Sequence, residues 1–360
     1  MEKFSCTTKI IAGAGAVSAL RELGAKRLFL VTDPFFMKNG QARKVAEVTG
    51  CAEVEYFDQV VPDPGVELAA QGTAKLNAFR PDLLVALGGG SAMDCGKAIA
   101  YFGGGGYTVA AIPTTSGSGS EVTDFAILSH DKVKHPLVDD RLRPDMAILD
   151  SDFLRELPKG LIADTGFDVL THAAEACCAK NAGVMSDLLA KEAFASAFAS
   201  LSASYAGRQE VRLRVHMAST MAGLAFSQAG LGLCHAMAHA LGGMFHIPHG
   251  RLNAILLPAV ISCNASGASG RYAQLARAAG LGGSADTIAV RNLRNGLIRL
   301  RRELNLPETL AQAGIAPRLI WANGDAIVRA TLEDPCCKTN PITVEDFLVR
   351  RVLEEVTGRG

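Results

Sequence analysis

Histidine and aspartate residues that could bind a metal gather in two short stretches of the chain. Asp168 and His172 are four residues apart in the segment Thr165-Gly-Phe-Asp-Val-Leu-Thr-His-Ala-Ala-Glu175, which reads as helix. Side chains at this spacing leave the same face of a helix, so the carboxylate and the imidazole can converge on one point. Four of the chain's eight histidines then fall within fifteen residues, namely His235, His239, His246 and His249. The two stretches together predict a cluster of metal ligands.

A divalent metal is the partner that this cluster favours. A single histidine on an apolar face is usually hydrogen-bonded in the core, but four in a stretch without charged side chains would need many partners. Three neutral imidazoles and one carboxylate around a divalent ion leave net positive charge, and open coordination positions would allow Lewis-acid chemistry on a substrate oxygen. These ligand types do not distinguish ferrous iron from zinc. Cys234 directly precedes His235. Because adjacent residues of a helix point about 100° apart, Cys234 is expected to pack in the core rather than to bind the same metal.

Two turns rich in glycine and hydroxyl groups predict a dinucleotide site in the first half of the chain. The apolar run 83–87 passes into Gly88-Gly-Gly-Ser91, and a helix is expected to open at Ala92. Glycines let backbone N–H groups approach a pyrophosphate, whose charge the helix N-terminus favours. The run 108–112 ends in Pro113-Thr-Thr-Ser-Gly-Ser-Gly-Ser-Glu121, at the strand edge where open α/β sheets bind ligands. One triple glycine is equally compatible with a tight turn, but two such turns on successive strands favour a nucleotide.

Asp33 closes the first predicted strand, residues 27–33. A carboxylate at this position can accept hydrogen bonds from the adenine ribose hydroxyls and would repel a 2′-phosphate, so we expect NAD rather than NADP. The alternative is an aspartate that only starts the Asp33–Pro34 turn.

The elements that must position these residues change character near Pro158. Before it, the predicted strands 27–33, 54–57, 83–87, 108–112 and 146–149 alternate with amphipathic stretches such as 66–79 and 92–102. Near-continuous apolar strands separated by helices are typical of a parallel sheet covered on both faces. After it, long stretches such as 186–206 and 286–304 predict helix. We therefore expect a dinucleotide-binding α/β domain over residues 1–157 and an all-helical metal and catalytic domain over residues 158–360.

Composition argues against nucleic-acid and membrane partners. Lys plus Arg number 36, as do Asp plus Glu, so no net charge attracts nucleic acid or an anionic membrane. Nine cysteines without a C-x-x-C spacing suit reduced thiols, and the N-terminus carries no secretory signal, so we expect a cytoplasmic location. Residues 215–250 contain no Asp, Glu, Lys or Arg, but their five histidines and six glycines indicate buried helices rather than a membrane span.

The motifs together resemble the iron-containing (group III) alcohol dehydrogenase family. They are Gly88-Gly-Gly-Ser-Ala-Met-Asp94 with Lys97, Pro113-Thr-Thr-Ser-Gly-Ser-Gly-Ser-Glu-Val-Thr123, Gly166-Phe-Asp-Val-Leu-Thr-His172, and Gly232-Leu-Cys-His-Ala-Met-Ala-His239 through Pro248-His-Gly250. The resemblance extends over almost the entire chain. It implies an N-terminal Rossmann-like parallel-sheet domain followed by an all-α metal-binding domain, the plan of dehydroquinate synthase. It also implies interconversion of a short-chain primary alcohol and its aldehyde with NAD and Fe²⁺, or Zn²⁺ in its place.

The resemblance assigns roles by position in this sequence. The implied metal ligands are Asp168, His172, His235 and His249. His239 is expected near the nicotinamide as a proton relay and Phe226 in a pocket for short aliphatic substrates, while His246 is structural or adjacent to the substrate. The implied cofactor-binding residues are Asp33, Asp63, Gly89, Gly90, Ser91, Asp94, Thr114, Thr115, Thr123 and Lys134. Asp63 stands where the family often has Asn.

Alternatives stay open on the same fold. One is a zinc-dependent glycerol or polyol dehydrogenase, against which the pair Asp168 and His172 argues. Another is a lyase of the dehydroquinate synthase type, whose phosphorylated substrate would need several cations, whereas only Arg251 lies close in sequence to the ligands. A non-catalytic nucleotide-binding shell would explain the glycines but not the histidines. The family resemblance further implies a homodimer or higher homo-oligomer. Residues 144–150 and 225–233 resemble a subfamily from bacterial microcompartments, which makes the interior of such a compartment a second expected location.

Overall fold

The computed structural model describes residues 4–130 and 133–358, with the backbone alone at positions 133 and 134. The chain forms two compact units, of which the first runs from Ser5 to Leu157 and the second begins at Pro158.

The first unit is built on a six-stranded parallel sheet. Its strands lie in the order β1-β8-β5-β4-β2-β3. They are β1 (Lys9–Gly13), β2 (Arg27–Val31), β3 (Glu53–Phe57), β4 (Leu83–Gly88), β5 (Thr108–Pro113) and β8 (Met146–Asp150), while β6 (Phe125–His130) and β7 (Val133–Val138) form a separate antiparallel hairpin. The chain runs from β2 outward to β3 and returns to β4 on the other side of β2. Ligands of open parallel sheets bind at such a reversal, beside the carboxyl ends of the strands.

The central strands are apolar because helices cover both faces of the sheet. Leu28 and Leu30 of β2 pack in one buried cluster with side chains of α1 (Pro34–Lys38) and α2 (Gln41–Thr49). Phe29 and Val31 of the same strand pack in a second cluster with side chains of α3 (Val66–Phe79) and α4 (Gly90–Gly103). Since successive side chains of a strand point to opposite faces, both sets must be apolar, which explains the unbroken hydrophobic runs of the sequence.

At the predicted cofactor residues, two element boundaries lie two residues away from the sequence prediction. β2 ends at Val31 rather than at residue 33, because Asp33 is the N-cap of α1 and its Oδ1 accepts the N–H groups of Phe35 at 2.9 Å and Phe36 at 3.2 Å. α4 begins at Gly90 rather than Ala92, because Gly89 takes the extended N-cap conformation. The edge strand β1 and the hairpin of β6 and β7 were not predicted.

The second unit is helical throughout its described residues. Its helices are α5 (Lys159–Cys178), α6 (Val184–Tyr205), α7 (Arg212–Ala229), α8 (Leu233–Phe245), α9 (His249–Ala278), α10 (Asp286–Glu303), α11 (Pro317–Ala322), α12 (Gly324–Glu333) and α13 (Asp346–Thr357). α5 is the central helix and packs against α6, α7 and α9. A Cβ added to Gly250 in the first turn of α9 would overlap the Asp164 carbonyl oxygen of α5. The absence of a side chain at Gly250 thus lets the two helices meet where metal ligands are predicted. The predicted fold class, a parallel-sheet domain followed by a helical domain, is confirmed.

The uncharged segment 215–250 is divided among several helices. α7 ends at Ala229 and α8 begins at Leu233, so the segment does not form one continuous span. Among the described residues one helix, α9, is long and apolar enough to cross a membrane by length and composition, but 72% of its most apolar window is buried inside the protein. The helix also bends at Ala268, whose φ is −135°.

Candidate metal centre

Asp168 lies at the middle of the predicted ligands. α5 carries Asp168 and His172 one turn apart, α8 carries His235 in its first turn, and His249 is the first residue of α9. Asp168 Oδ1 lies 3.7 Å from His235 Nε2 and 3.5 Å from His249 Nε2, and Asp168 Oδ2 lies 3.9 Å from His172 Nδ1. Three helices therefore bring the three predicted imidazole ligands to the carboxylate that is the fourth.

Glu175 orients His235. Its Oε2 lies 2.6 Å from His235 Nδ1, and the same carboxylate accepts backbone N–H groups of Gly232 at 2.9 Å and Cys234 at 2.6 Å. The carboxylate thus caps the first turn of α8 while it places the proton of His235 on Nδ1. In the neutral ring, Nε2 then has the lone pair and faces Asp168, as a metal ligand requires.

Asn253, one turn after His249 in α9, is fully buried among the same atoms. Its Nδ2 donates to Asp168 Oδ1 at 2.8 Å and lies 3.1 Å from His249 Nε2 and 3.4 Å from His235 Nε2. Asn253 therefore fixes the orientation of the Asp168 carboxylate.

The charges of this cluster favour a cation. Burial alone would raise the pKa of Asp168, but His172, His249 and His235 outweigh it and hold the pKa well below its usual range. Burial would lower the pKa of His235, yet its interactions with the Asp168 and Glu175 carboxylates outweigh that effect and raise the pKa to about 9. A proton on His235 thus supplies the positive charge that two buried carboxylates demand, and a divalent metal would supply it instead. Three nitrogens and one carboxylate are a donor set that fits Fe²⁺ or Zn²⁺.

His239 lies one turn after His235 on α8, beside the ligand cluster but with a different partner. Its Nδ1 lies 2.8 Å from Asp334 Oδ2, and its ring stacks on His249 with 5.1 Å between centroids. About a third of its side chain is exposed, whereas His235 is 1% exposed. His239 therefore has the contact with solvent that a proton relay needs.

Phe226 and His246, the two other residues predicted near the substrate, have different surroundings. Phe226 of α7 is buried and stacks on His172 with 4.4 Å between ring centroids. It is thus next to a predicted ligand, as the substrate-pocket prediction requires. His246 is exposed and is the C-cap of α8 in the left-handed conformation, with φ at 56°.

In the first unit, the two predicted nucleotide turns face each other. A Cβ on Gly89 would lie 3.3 Å from Thr115 Oγ1, and one on Gly90 would lie 3.2 Å from the Ser118 Cβ. The buried Thr114 donates its N–H to the carbonyl oxygen of Gly88 at 2.9 Å. The turns after β4 and β5 therefore approach closely, and the first turn of α4 presents its N–H groups to the space where a pyrophosphate is predicted.

Asp94 and Thr123 have partners within the protein. Asp94 accepts the Ser120 hydroxyl at 2.6 Å and the Ile127 N–H at 3.1 Å, and Thr123 is fully buried with its hydroxyl 3.0 Å from Lys97 Nζ. Lys97, itself fully buried, also donates to the Ser120 carbonyl oxygen at 2.8 Å. Burial lowers the pKa of Lys97 to about 8, although nearby carboxylates including Asp94 oppose the shift. These residues hold the second turn in place, so their predicted contact with cofactor is not evident in their hydrogen bonds.

Two of the remaining cofactor predictions, Asp33 and Asp63, follow the carboxyl ends of strands β2 and β3. The N–H of Asp63 donates weakly to the Ser91 hydroxyl at 3.4 Å, with Asp63 in the left-handed conformation. Asp33 Oδ1 accepts a backbone N–H of α1, as the alternative of an aspartate that starts the Asp33–Pro34 turn predicts. Its Oδ2 would lie 3.7 Å from a Cβ built on Gly88. Asp33 therefore caps a helix and also borders the glycine turn. Lys134 falls within β7, but its side chain lies outside the described residues.

The comparisons with known proteins agree over both units. Residues 7–151 match the family model described as iron-containing alcohol dehydrogenase, and residues 162–357 match the model of the Fe-containing alcohol dehydrogenase family, C-terminal. The 1-propanol dehydrogenase PduQ of Citrobacter freundii is 38% identical over 370 residues, covering 99% of this chain and 100% of that protein. The NADPH-dependent butanol dehydrogenase of Clostridium saccharobutylicum is 35% identical, covering 98% of this chain and 97% of that protein. The solved structure of an iron-containing alcohol dehydrogenase from Thermococcus thioreducens has a TM-score of 0.90 at 31% identity, covering 98% of this chain and 99% of that one.

Proposed function

Because the chain belongs to the iron-containing alcohol dehydrogenase family, we propose that it interconverts a short-chain primary alcohol, such as 1-propanol, and its aldehyde with ferrous iron and NAD(H). Members of the family are oxidoreductases that act on alcohols with a metal and a nicotinamide cofactor. The observation that carries the proposal for this chain is the convergence of three imidazoles on the buried Asp168 carboxylate. The similarity to a 1-propanol dehydrogenase supports the substrate class.

The metal would be held by Asp168, His172, His235 and His249. When bound, it would supply Lewis acidity toward the oxygen of the alcohol or aldehyde. Glu175 keeps His235 in the tautomer that binds through Nε2, and Asn253 holds Asp168 in place. The chain's own contribution is therefore a rigid set of ligands built before the metal arrives.

Oxidation of a primary alcohol releases a hydride, which the nicotinamide cofactor accepts, and a proton, which the protein must carry away. His239 suits the second task because its Nδ1–H is held by Asp334, so its Nε2 can accept a proton and pass it to solvent. In aldehyde reduction the same nitrogen returns the proton. The Asp334 carboxylate would stabilise the imidazolium that forms in both directions.

The substrate limit is assigned to Phe226. Its ring stacks on His172, so the aliphatic part of a substrate bound at the metal would meet this aromatic surface within a few ångströms. Short aliphatic alcohols would fit beside it, and longer ones would have to displace a buried ring. The pocket therefore favours substrates of propanol size.

The preference for NAD is assigned to Asp33 at the reversal of the sheet. A fixed carboxylate beside the glycine turn would repel the 2′-phosphate of NADP. One relative is named an NADPH-dependent butanol dehydrogenase, so this preference has to be measured directly. We further assign the enzyme to the cytoplasm, with the interior of a bacterial microcompartment as the alternative, and to a homodimer or higher homo-oligomer.

The test is metal-dependent turnover. The purified protein is stripped of metal, ferrous iron or zinc is restored anaerobically in parallel samples, and oxidation of NADH or NADPH is followed by absorbance with propanal. Iron-dependent turnover with NADH is expected. No turnover with either metal would contradict the proposal and favour the lyase or polyol alternatives.

Two histidines near the start of α9 provide the matched variants. His249→Ala removes a predicted ligand, whereas His246→Asn changes an exposed residue and keeps a side chain that tolerates positive φ. Iron content and turnover should fall strongly in the first variant and stay near the wild-type values in the second. Equal iron binding by both variants would remove His249 from the ligand set.

A further inference from the structure

A second group of potential metal ligands borders the first. A ring nitrogen of His239, a carboxylate oxygen of Asp334 and the sulfur of Cys336 all lie within 4.8 Å of one another. All three residues are partly exposed, in contrast to the buried Asp168, His172 and His235. An ion from solvent can therefore reach this group without entering the interior of the helical unit.

The segment after α12 fixes the geometry of this group. Asp334 caps the short 3-10 helix Pro335–Thr339, with Oδ1 accepting the Cys336 N–H at 2.9 Å and Oδ2 facing His239. The Thr339 hydroxyl anchors the other end by donating to the Leu231 carbonyl oxygen at 2.6 Å. The segment is thus tied at both ends beside α8, which holds Cys336 within reach of His239.

The neighbouring Cys337 has a different environment. Its thiol donates to the carbonyl oxygen of Thr331 at 3.0 Å, and it is not part of the three-residue group. A substitution of Cys337 is therefore a matched control for a substitution of Cys336.

The donor atoms decide which ions suit the group. One imidazole nitrogen, one carboxylate oxygen and one thiolate sulfur match the preferences of Zn²⁺ and Co²⁺, whereas Mg²⁺ and Ca²⁺ require oxygen ligands. The set around Asp168 contains nitrogen and oxygen only, so sulfur ligation separates the two sites chemically.

We propose that His239, Asp334 and Cys336 form a second divalent-cation site, selective for Zn²⁺, and that its occupation inhibits the dehydrogenase. Binding places the cation on His239 Nδ1, the nitrogen that faces Asp334, and the ring proton is exchanged through solvent onto Nε2, so that no lone pair remains on the ring. The thiol proton of Cys336 passes to solvent. His239 is then held rigidly and can no longer exchange a proton. The inhibitory effect rests on the proposed role of His239 in the dehydrogenase, whereas the site itself does not.

Cobalt tests the site without reference to activity. Iron-loaded enzyme is titrated anaerobically with Co²⁺, and the near-ultraviolet charge-transfer band of a cobalt–thiolate bond is recorded. The band should appear in the wild type and in Cys337→Ser and be absent in Cys336→Ser. If the wild type gives no such band, or if Cys336→Ser retains it, the site is overturned.

Zinc tests the inhibition. Propanal reduction by iron-loaded enzyme is measured against Zn²⁺ concentration, with each variant compared to its own zinc-free rate. The concentration for half-inhibition should rise at least about tenfold in Cys336→Ser, since loss of a direct ligand costs no less than loss of an outer-shell partner. Equal inhibition of wild type and Cys336→Ser would mean that zinc acts elsewhere and would overturn the inhibitory role. If the proposed dehydrogenase activity itself is missing, the cobalt band still decides whether the site exists.

Discussion

Replacing Glu175 by Gln isolates the contribution of one hydrogen-bonded carboxylate to the metal centre. In the wild type, Glu175 Oε2 accepts hydrogen bonds from His235 Nδ1 and from the Gly232 N–H, while Oε1 accepts one from the Cys234 N–H. Glutamine has nearly the same shape but only one acceptor oxygen. If that oxygen faces His235, the amide NH₂ meets the Cys234 N–H, and two donors oppose each other in a buried space.

Two effects of different size follow from this geometry. A buried donor left without an acceptor costs about 1–3 kcal/mol of folding free energy. Loss of the carboxylate that orients a metal-binding histidine reduces metal affinity about 10- to 100-fold, which corresponds to about 1.4–2.8 kcal/mol of binding free energy. Glu175→Gln should therefore weaken metal binding and also lower the stability of the metal-free protein.

Competition with a chelator of known affinity measures the first effect, and urea unfolding of the metal-free protein measures the second. Glu354→Gln, at an exposed position of α13, is the matched control and should change neither quantity. If Glu175→Gln is less stable but binds Fe²⁺ with wild-type affinity, the carboxylate only caps α8 and the tautomer argument is refuted.

Three further substitutions probe other parts of the chain. Phe226→Ala should raise kcat/KM for pentanol relative to propanol, because it opens space beside His172, and it should lower the free energy of unfolding by about 3–5 kcal/mol. An unchanged ratio of the two kcat/KM values would exclude Phe226 from the pocket. Gly250→Ala should lower the free energy of unfolding by about 1–3 kcal/mol and reduce the iron content, because the new methyl group would overlap the Asp164 carbonyl oxygen. Wild-type stability in thermal unfolding would refute the close packing of α5 and α9. For Lys97, the folded-state pKa of about 8 lies below its ordinary value, so between the two values the unfolded chain binds a proton that the folded chain has lost, and stability rises with pH. Wild type should therefore gain about 2 kcal/mol over Lys97→Met between about pH 7.5 and 10 in urea unfolding, and a constant difference would contradict a buried, shifted lysine.

The sequence predicted the parallel sheet, the helical second half and the family, because each has a local signal. Unbroken apolar runs mark strands covered on both faces, and β2 and β4 were found in this way. The edge strand β1 has exposed and partly exposed residues along its length, so it lacks the signal. Asp33 shows a different limit, since the same Asp–Pro pair is compatible with a strand end and with the helix cap that the structure shows.

The four predicted metal ligands come together in the structure, but residues that support them were missed. Glu175 follows Asp168 and His172 at the i+7 and i+3 positions of one helix face, and Asn253 follows His249 by four residues, so helical spacing could have indicated both. Asp334 has no such signal. It contacts His239 across 95 residues of sequence, and only the packing of the segment after α12 against α8 brings it there.

Two histidines of α8 show how one hydrogen-bonding arrangement can serve two purposes. In both His235 and His239, a carboxylate from another part of the helical unit holds Nδ1, so that in the neutral ring the lone pair is on Nε2. His235 is almost completely buried and its Nε2 faces Asp168, so its lone pair is available to a metal. His239 is one turn further along the helix and a third exposed, so its lone pair can exchange a proton with solvent. Since residue type and partner are the same, the difference in burial along one helical turn separates the proposed ligand from the proposed relay.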